Sequence, residues 1–178
     1  MSSTTDFMKM AEKDHLDGLV AQWRVVRPDL DDVEAMAVVA RLLHVSRLIG
    51  ERLAAHAAEH DLGVGEADVL FTLRRAGPPN VLSPTQLASS LLVATGTMTN
   101  RLDQLETRGL VRRLPDPEDR RGLRIELTPN GLQLVDAVVG EHLAREHALL
   151  AVLTSRERQQ LVQATRKLLA HLETTTIS

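Results

Sequence analysis

A run of small polar residues lies at the start of one predicted helix. Residues of these types can form close hydrogen bonds to a polar or charged partner. The run comprises Thr95, Gly96, Thr97, Thr99 and Asn100. Side chains of this size approach a partner closely, and the amides at a helix N-terminus attract phosphate. We therefore expect Thr95, Thr97, Thr99 and Asn100 to contact base edges or the backbone of a nucleic acid.

Two arginines form a second candidate group, in a polar loop rich in turn-forming residues. Arg120 and Arg121 lie in the loop 115–122, between two short predicted strands at 110–114 and 123–127. Guanidinium groups at the tip of a hairpin reach phosphates or the minor groove of a duplex. We expect both side chains to bind DNA.

The elements that must position these groups are two helices joined by a tight turn. Ser83 is a good N-cap and Pro84 suits the first helical position, so a helix begins there with Thr85 in its first turn. A second helix is predicted over 95–108, ending at Gly109 as the C′ residue. Its apolar positions, which would face the protein interior, are Met98, Leu102 and Leu105.

Two helices followed by a basic hairpin form the arrangement of a winged helix-turn-helix. In that arrangement the first helix crosses the DNA backbone and the second enters the major groove. We therefore add Ser83 and Thr85, at the start of the first helix, to the predicted DNA contacts.

The chain resembles the MarR family of transcriptional regulators over most of its length. The segments that carry the resemblance are 68–70, 87–88, 98–106, 108–113, 116–121 and 127–131. The most specific is the Asp-x-x-Asp-Arg-Arg motif of the hairpin loop. The resemblance implies a mainly α fold with a small β-wing. It also implies a homodimeric regulator, expected to be a repressor, that binds a pseudo-palindromic operator in double-stranded DNA.

Four further residues resemble a set found in the urate-responsive branch of that family, the PecS- and HucR-like regulators. They are Trp23, Asp68, Arg101 and Arg113. In that branch the matching residues are implicated in binding urate or related small anions. The chemistry is suitable, because an arginine fork binds a planar anion, an aspartate accepts ring N–H donors and a tryptophan supplies an apolar face.

A direct contact between Asp68 and Arg101 would tether the second helix to the rest of the protein. A ligand that competes for this contact would then shift the helix and weaken DNA binding. The residues alone leave structural roles open: Trp23 as a core or interface anchor, Asp68 as an acid at a helix start, Arg101 as a salt-bridge or phosphate partner, and Arg113 as a solvated strand residue.

Composition limits the classes of protein that the chain represents. Its 178 residues suffice for one domain with a core, and 43% apolar content is ordinary for a soluble protein. The absence of cysteine excludes disulfides and thiolate metal sites. The net charge of −3 argues weakly against binding to nucleic acid. Arginines concentrate between Arg101 and Arg124, however, and this local positive charge can still bind DNA. We see neither a signal peptide nor a membrane span, and expect a cytoplasmic protein.

Apolar stripes at helical spacing predict long helices on both sides of the helix-turn-helix and its hairpin, which together are called the reading unit. We expect a single domain over 1–178, with 65–128 as the DNA-binding region. The flanking segments 14–60 and 129–173 are too apolar to remain solvated, so we expect them to form a homodimer that sets two second helices about 34 Å apart. Closure of a monomeric core by these helices is the alternative.

Known catalytic motifs are missing from the sequence, so we expect no enzyme activity and no cofactor. His56 and His60 are four residues apart, as in some zinc sites, but we expect a solvated helix end and no metal. His142 and His147 are expected at the surface or at an interface. The alternative to a DNA-binding regulator is a helical interaction or ligand-binding module without affinity for DNA.

Overall fold

The computed structural model describes residues 14–120 and 122–174, and in this part of the chain it contains seven helices and three strands. The chain divides between Leu53 and Ala54 into two compact units, which are described separately. The helices are α1 (His15–Val26), α2 (Glu34–Glu59), α3 (Val64–Arg75), α4 (Pro84–Ser90), α5 (Thr95–Thr107), α6 (Pro129–Leu149) and α7 (Ser155–Thr174). The strands are β1 (Val81–Leu82), β2 (Val111–Pro115) and β3 (Leu123–Leu127).

The N-terminal unit is organised by a capping box at the start of α1. The Asp14 carboxylate accepts a hydrogen bond from the Leu16 amide at 2.9 Å, and the Asp17 carboxylate accepts one from the Asp14 amide at 2.8 Å. Arg41 of α2 donates to both carboxylates at 2.8 Å, and its guanidinium lowers the pKa of Asp14 to about 2. A small apolar cluster packs beneath, formed by Leu16, Val20, Val33 and Ala37.

The C-terminal unit contains the main core, which holds the helix-turn-helix on its scaffold. Helix α3 supplies Val69, Leu70 and Leu73, each no more than 1% exposed. The end of α2, the helices α4, α5 and α6 and the strands β2 and β3 each add at least one buried apolar side chain. The largest of these are Leu87, Met98, Leu102, Leu105, Val111, Ile125, Val135 and Val138. The mainly α fold with a small β-wing is therefore confirmed.

The sheet is antiparallel, with β3 between β1 and β2. Val81 pairs with Glu126, and Arg112 pairs with the same residue from the other side. The strand β1 was not predicted, because two residues are too short to show the period-two pattern by which a strand is recognised. It fixes the start of α4 against the base of the wing.

The predicted helix ends in the reading unit are confirmed by their capping contacts. Ser83 and Gln86 form a capping box at the start of α4, with Pro84 in the first turn. Gly109 comes directly after the C-cap residue Arg108 of α5 and has a φ of +67°, the left-handed conformation that favours glycine at C′. Thr154 and Glu157 likewise form a capping box at the start of α7.

Helix α7 is amphipathic but has no buried residue in the single chain. Its exposed apolar side chains are Leu161, Val162, Leu168, Leu169 and Leu172. Within the described residues, none of the helices combines the length and apolar character that crossing a membrane requires. Helix α7 therefore does not qualify as a membrane span, yet its apolar face is exposed to solvent in the single chain.

Candidate functional site

Helix α5 has one buried face and one polar face. Met98, Leu102 and Leu105 are buried to 2% exposure or less, and they fix the helix on the core. The N-cap residue is Ala94, which provides no side-chain hydrogen bond to the first-turn amides. The exposed residues of the N-terminal half are Thr95, Gly96, Thr97, Thr99 and Asn100. Uncapped amides and small polar groups therefore share one open surface, suited to an anionic partner.

The remaining predicted contacts in the helix-turn-helix lie at the start of α4. The Ser83 hydroxyl oxygen accepts a hydrogen bond from the Gln86 amide at 3.1 Å, so this side chain caps the helix. Thr85 is exposed in the first turn. On α5, the Thr99 hydroxyl donates to the Thr95 carbonyl at 3.1 Å, which leaves its oxygen as an acceptor.

The loop of the wing is folded around Asp116. Its carboxylate accepts hydrogen bonds from Arg124 at 2.7 Å and from the Glu118 amide at 3.0 Å, and the Arg124 guanidinium lowers the pKa of Asp116. Arg120 is exposed and makes no hydrogen bond or ion pair with the described residues. Arg121, the other predicted contact, lies outside the described residues.

Arg113 of β2 connects the wing to α5. Its guanidinium donates to the Asp103 carboxylate at 2.6 Å and also to Glu106, whose other oxygen accepts the Arg113 amide at 3.0 Å. The alternative of a solvated strand residue is therefore wrong. Sequence reasoning missed Asp103 and Glu106; two acids three residues apart on α5 were the available signal.

Arg101 lies against the backbone of α3. A side chain at Gly65 would bring its Cβ within 2.2 Å of the Arg101 Nε, so the guanidinium occupies the space that glycine leaves open. Its Nη1 is buried and has no hydrogen-bond partner among the described residues. A buried guanidinium nitrogen without a partner is unfavourable, and an anion would satisfy it.

Asp68 and Arg101 interact through their charges, but the predicted direct contact is wrong. No hydrogen bond or ion pair between them occurs in the described residues. Burial raises the pKa of Asp68, while the positive charge of Arg101 and the neighbouring His142 oppose that rise. Arg101 is directed to Gly65 instead, which explains why the suggested contact with Asp68 does not form.

Asp68 also lines an open cleft of about 500 Å³ between α3 and α6. The other residues around the cleft include Phe71, Thr72, Arg75, Leu91, Val139 and His142. Apolar walls with a carboxylate and an arginine are the composition of a small-molecule site. Trp23, the fourth predicted ligand residue, belongs to the N-terminal unit and is 42% exposed on α1.

The prediction of a solvated helix end at His56 is wrong. His56 is 1% exposed, because its ring stacks on His142 of α6 with centroids 6.0 Å apart and lies edge-on to His60. His142 in turn packs on Phe71 at 4.7 Å. His56 and His142 are far apart along the chain, so no pattern in the sequence indicated this cluster.

The buried face of α5, its open polar N-terminus and the braced hairpin define a winged helix-turn-helix protein. Residues 64–123 match the family model described as MarR family. The chain is 40% identical to the HTH-type transcriptional regulator PecS of Dickeya dadantii, over 92% of this chain and 96% of that protein. The protein belongs to the MarR family of transcriptional regulators.

Solved structures agree with this assignment. A mutant of Escherichia coli MarR, complexed with operator DNA, matches with a TM-score of 0.65 and 29% identity, covering 79% of this chain and 99% of that one. AbsC of Streptomyces coelicolor, a MarR family regulator, matches with a TM-score of 0.74 and 24% identity, covering 82% of this chain and 98% of that one. The second likeness supports the fold alone.

Proposed function

We propose that the protein is a homodimeric repressor that binds a pseudo-palindromic operator through α5 and is released by a small anion. The observation that carries the proposal is the uncapped, exposed N-terminal half of α5 above a buried apolar face. An element held rigidly on one side and open on the other is what insertion into a major groove requires.

The proposed DNA contacts divide by role. Thr97, Thr99 and Asn100 are assigned to base edges or nearby phosphates, because short polar side chains at a helix start reach both. Arg120 and Arg121 of the wing are assigned to the adjacent backbone or minor groove. The remaining proposed contacts, all to the backbone, are Ser83, Thr85 and Thr95. The operator complex of the E. coli relative supports DNA binding as the proposed function.

A homodimer is proposed because the flanking helices expose apolar faces. Helix α7 buries none of its residues within the chain, although it carries five exposed large apolar side chains. Trp23 and Leu19 of α1 are likewise 42% and 47% exposed. Faces of this kind lose contact with water when a second copy covers them, and a two-fold dimer presents two α5 helices to the half-sites of an operator.

The proposed effector site is built on Asp68 and Arg101. Arg101 has a buried nitrogen that lacks a partner, and Asp68 is a half-buried carboxylate beside an open cleft. A planar anion with ring N–H groups offers an acceptor to Arg101 and a donor to Asp68, and urate has this chemistry. Arg113 completes the proposed set in this unit, and a ligand role for Trp23 of the N-terminal unit remains a prediction from the sequence. An effector at Arg101 acts directly on α5, which carries that residue.

Alanine substitutions on one helix test the DNA-binding proposal. Asn100→Ala removes a proposed contact, whereas Gln104→Ala, also exposed but in the C-terminal half of α5, serves as its matched control. Fluorescence anisotropy with an operator duplex is expected to show a loss of about 1–3 kcal/mol for Asn100→Ala and little change for Gln104→Ala. Equal binding by both variants would contradict the assignment.

The wing is tested by the salt dependence of the same binding. Arg120→Ala is expected to lower the slope of log affinity against log salt by about one, because one phosphate contact is lost. An unchanged slope would remove Arg120 from the interface. Failure of the wild type to prefer any duplex sequence would favour the alternative, a helical module that does not bind DNA.

A further inference from the structure

A group of metal-ligating side chains lies at the C-terminal end of α2. His56, Glu59 and His60 each offer one ligand atom, and these atoms lie within 4.8 Å of one another. The spacing places all three on one side of the last helical turn. No function proposed above uses them.

The imidazoles of this group have buried nitrogens without partners. His56 is 1% exposed, and its Nε2 makes no hydrogen bond within the described residues; the same holds for the Nε2 of His60. Buried polar atoms are almost always paired with protein, water or an ion. Two imidazoles with incomplete hydrogen bonding, beside a carboxylate, offer donors that a cation can bind.

The surroundings orient these donors. The His56 Nδ1 lies 3.5 Å from a Glu59 carboxylate oxygen, so one ring nitrogen of His56 and this carboxylate already face the same point. That same oxygen of Glu59 accepts a hydrogen bond from Arg145 of α6 at 2.6 Å. Arg145 therefore fixes the Glu59 carboxylate beside His56.

Helix α6 contributes a further carboxylate. The Glu141 Oε2 lies 3.3 Å from the His60 Nε2, without the alignment of a hydrogen bond. His142, next along α6, covers the ring of His56. The site therefore has two nitrogen donors and two carboxylates within reach, and lies at the junction of two elements.

We propose that His56, His60 and Glu59 bind one divalent transition-metal ion of the zinc type. Two imidazoles with a carboxylate suit Zn²⁺ better than Mg²⁺ or Ca²⁺, which prefer oxygen ligands. Small side-chain rotations bring the donors to the spacing of about 3.3 Å that tetrahedral zinc requires. Glu141 or a water molecule takes the fourth position. The bound ion links the end of α2 to α6.

The test is calorimetric titration of the full-length protein, freed of metal by a chelator, with zinc chloride. We expect one ion per chain to bind. His60→Gln and Glu59→Gln, both at partly exposed positions, are expected to weaken the affinity by at least about tenfold. His147→Gln, an exposed histidine of α6 outside the group, is the matched control and should bind as the wild type does.

Two further measurements distinguish this site from loose association with surface histidines. Zinc is expected to raise the thermal midpoint of the wild type and the His147→Gln control more than that of His60→Gln, because binding to the folded state alone stabilises it. Co²⁺ is expected to give the visible absorption of a four-coordinate nitrogen and oxygen site. Absence of saturable binding, or equal affinity in the wild type and His60→Gln, would overturn the proposal.

Discussion

The guanidinium of Arg101 occupies the space beside Gly65 that any other residue would fill with its side chain. A Cβ at Gly65 would come within 2.2 Å of the Arg101 Nε. Arg101 belongs to α5 and Gly65 to the first turn of α3, so this packing joins the proposed DNA-binding helix to its scaffold. The buried Nη1 of Arg101 lacks a partner at the same place, and an anion there would act on the position of α5.

The first prediction concerns Gly65→Ala. The added methyl group meets only the far end of a flexible side chain, so we expect Arg101 to swing away and the fold to persist. Operator affinity should be retained, while the release by urate should be lost or reduced at least about tenfold, the scale of a typical coupling between sites. Anisotropy with and without urate measures both quantities.

Gly140→Ala is the matched control for this variant, because a Cβ at Gly140 has nothing within 4 Å. It should respond to urate as the wild type does. A full response in Gly65→Ala would show that the position of Arg101 does not matter for release.

The second prediction follows from the buried carboxyl of Asp68. Burial raises its folded-state pKa above the ordinary value of 3.8, so its protonated form is the one that folding favours. That stabilising contribution is present below the ordinary value and is lost as pH rises through the raised pKa. Relative to Asp68→Asn, the wild type should therefore lose stability as pH rises from the ordinary value of 3.8 through the raised pKa of Asp68.

Urea unfolding at several pH values measures this difference, and Asp116→Asn provides a contrast of opposite sign. The pKa of Asp116 is lowered by its hydrogen bond to Arg124, so the wild type should gain on that variant as pH rises from the lowered pKa to the ordinary value of 3.8, below the region in which Asp68 acts. A wild type that also gains on Asp68→Asn would show that Asp68 is stabilised as a carboxylate.

The third prediction concerns the brace between the wing and α5. Arg113→Ala and Asp103→Asn remove opposite ends of a 2.6 Å contact, so their effects on stability should not add. A double-mutant cycle should give a coupling of about 0.5–1 kcal/mol, as expected for a partly exposed pair. Additive effects would mean that the pair does not contribute to the fold.

The fourth prediction concerns two glycines of α6 in contrasting surroundings. A Cβ at Gly131 would lie 2.0 Å from the backbone carbonyl oxygen of Leu110, which cannot move aside. We expect Gly131→Ala to destabilise the protein by about 1–3 kcal/mol. Gly140→Ala should stabilise it by about 0.5–1 kcal/mol, because the helix gains propensity without a clash. Chemical unfolding of both variants tests this difference, and equal stabilities would contradict it.

Much of the reading unit was predictable because local rules determine it. Ser83, Pro84 and Gly109 are cap residues whose preferences act within one helical turn, and the structure has them where those preferences predict. The strand β1 was missed because two residues carry no readable period, and its pairing with β3 depends on a partner more than 40 residues away.

The candidate sites were predictable as residue types but not as partners. The resemblance suggested a contact between Asp68 and Arg101, yet Arg101 packs on Gly65, a contact that depends on the absence of a side chain. The burial of His56 depends on His142, which a sequence pattern does not connect to it. Long-range packing decided each of these outcomes.

The measurement that most directly tests the central proposal is anisotropy of a labelled duplex from the region upstream of the protein's own gene. A scrambled duplex of the same length is the control, and both are titrated at moderate salt with and without urate. We expect selective binding of the first duplex and its release by urate. Selective binding that urate leaves unchanged would contradict the proposed effector, and equal binding of both duplexes would contradict the regulator itself.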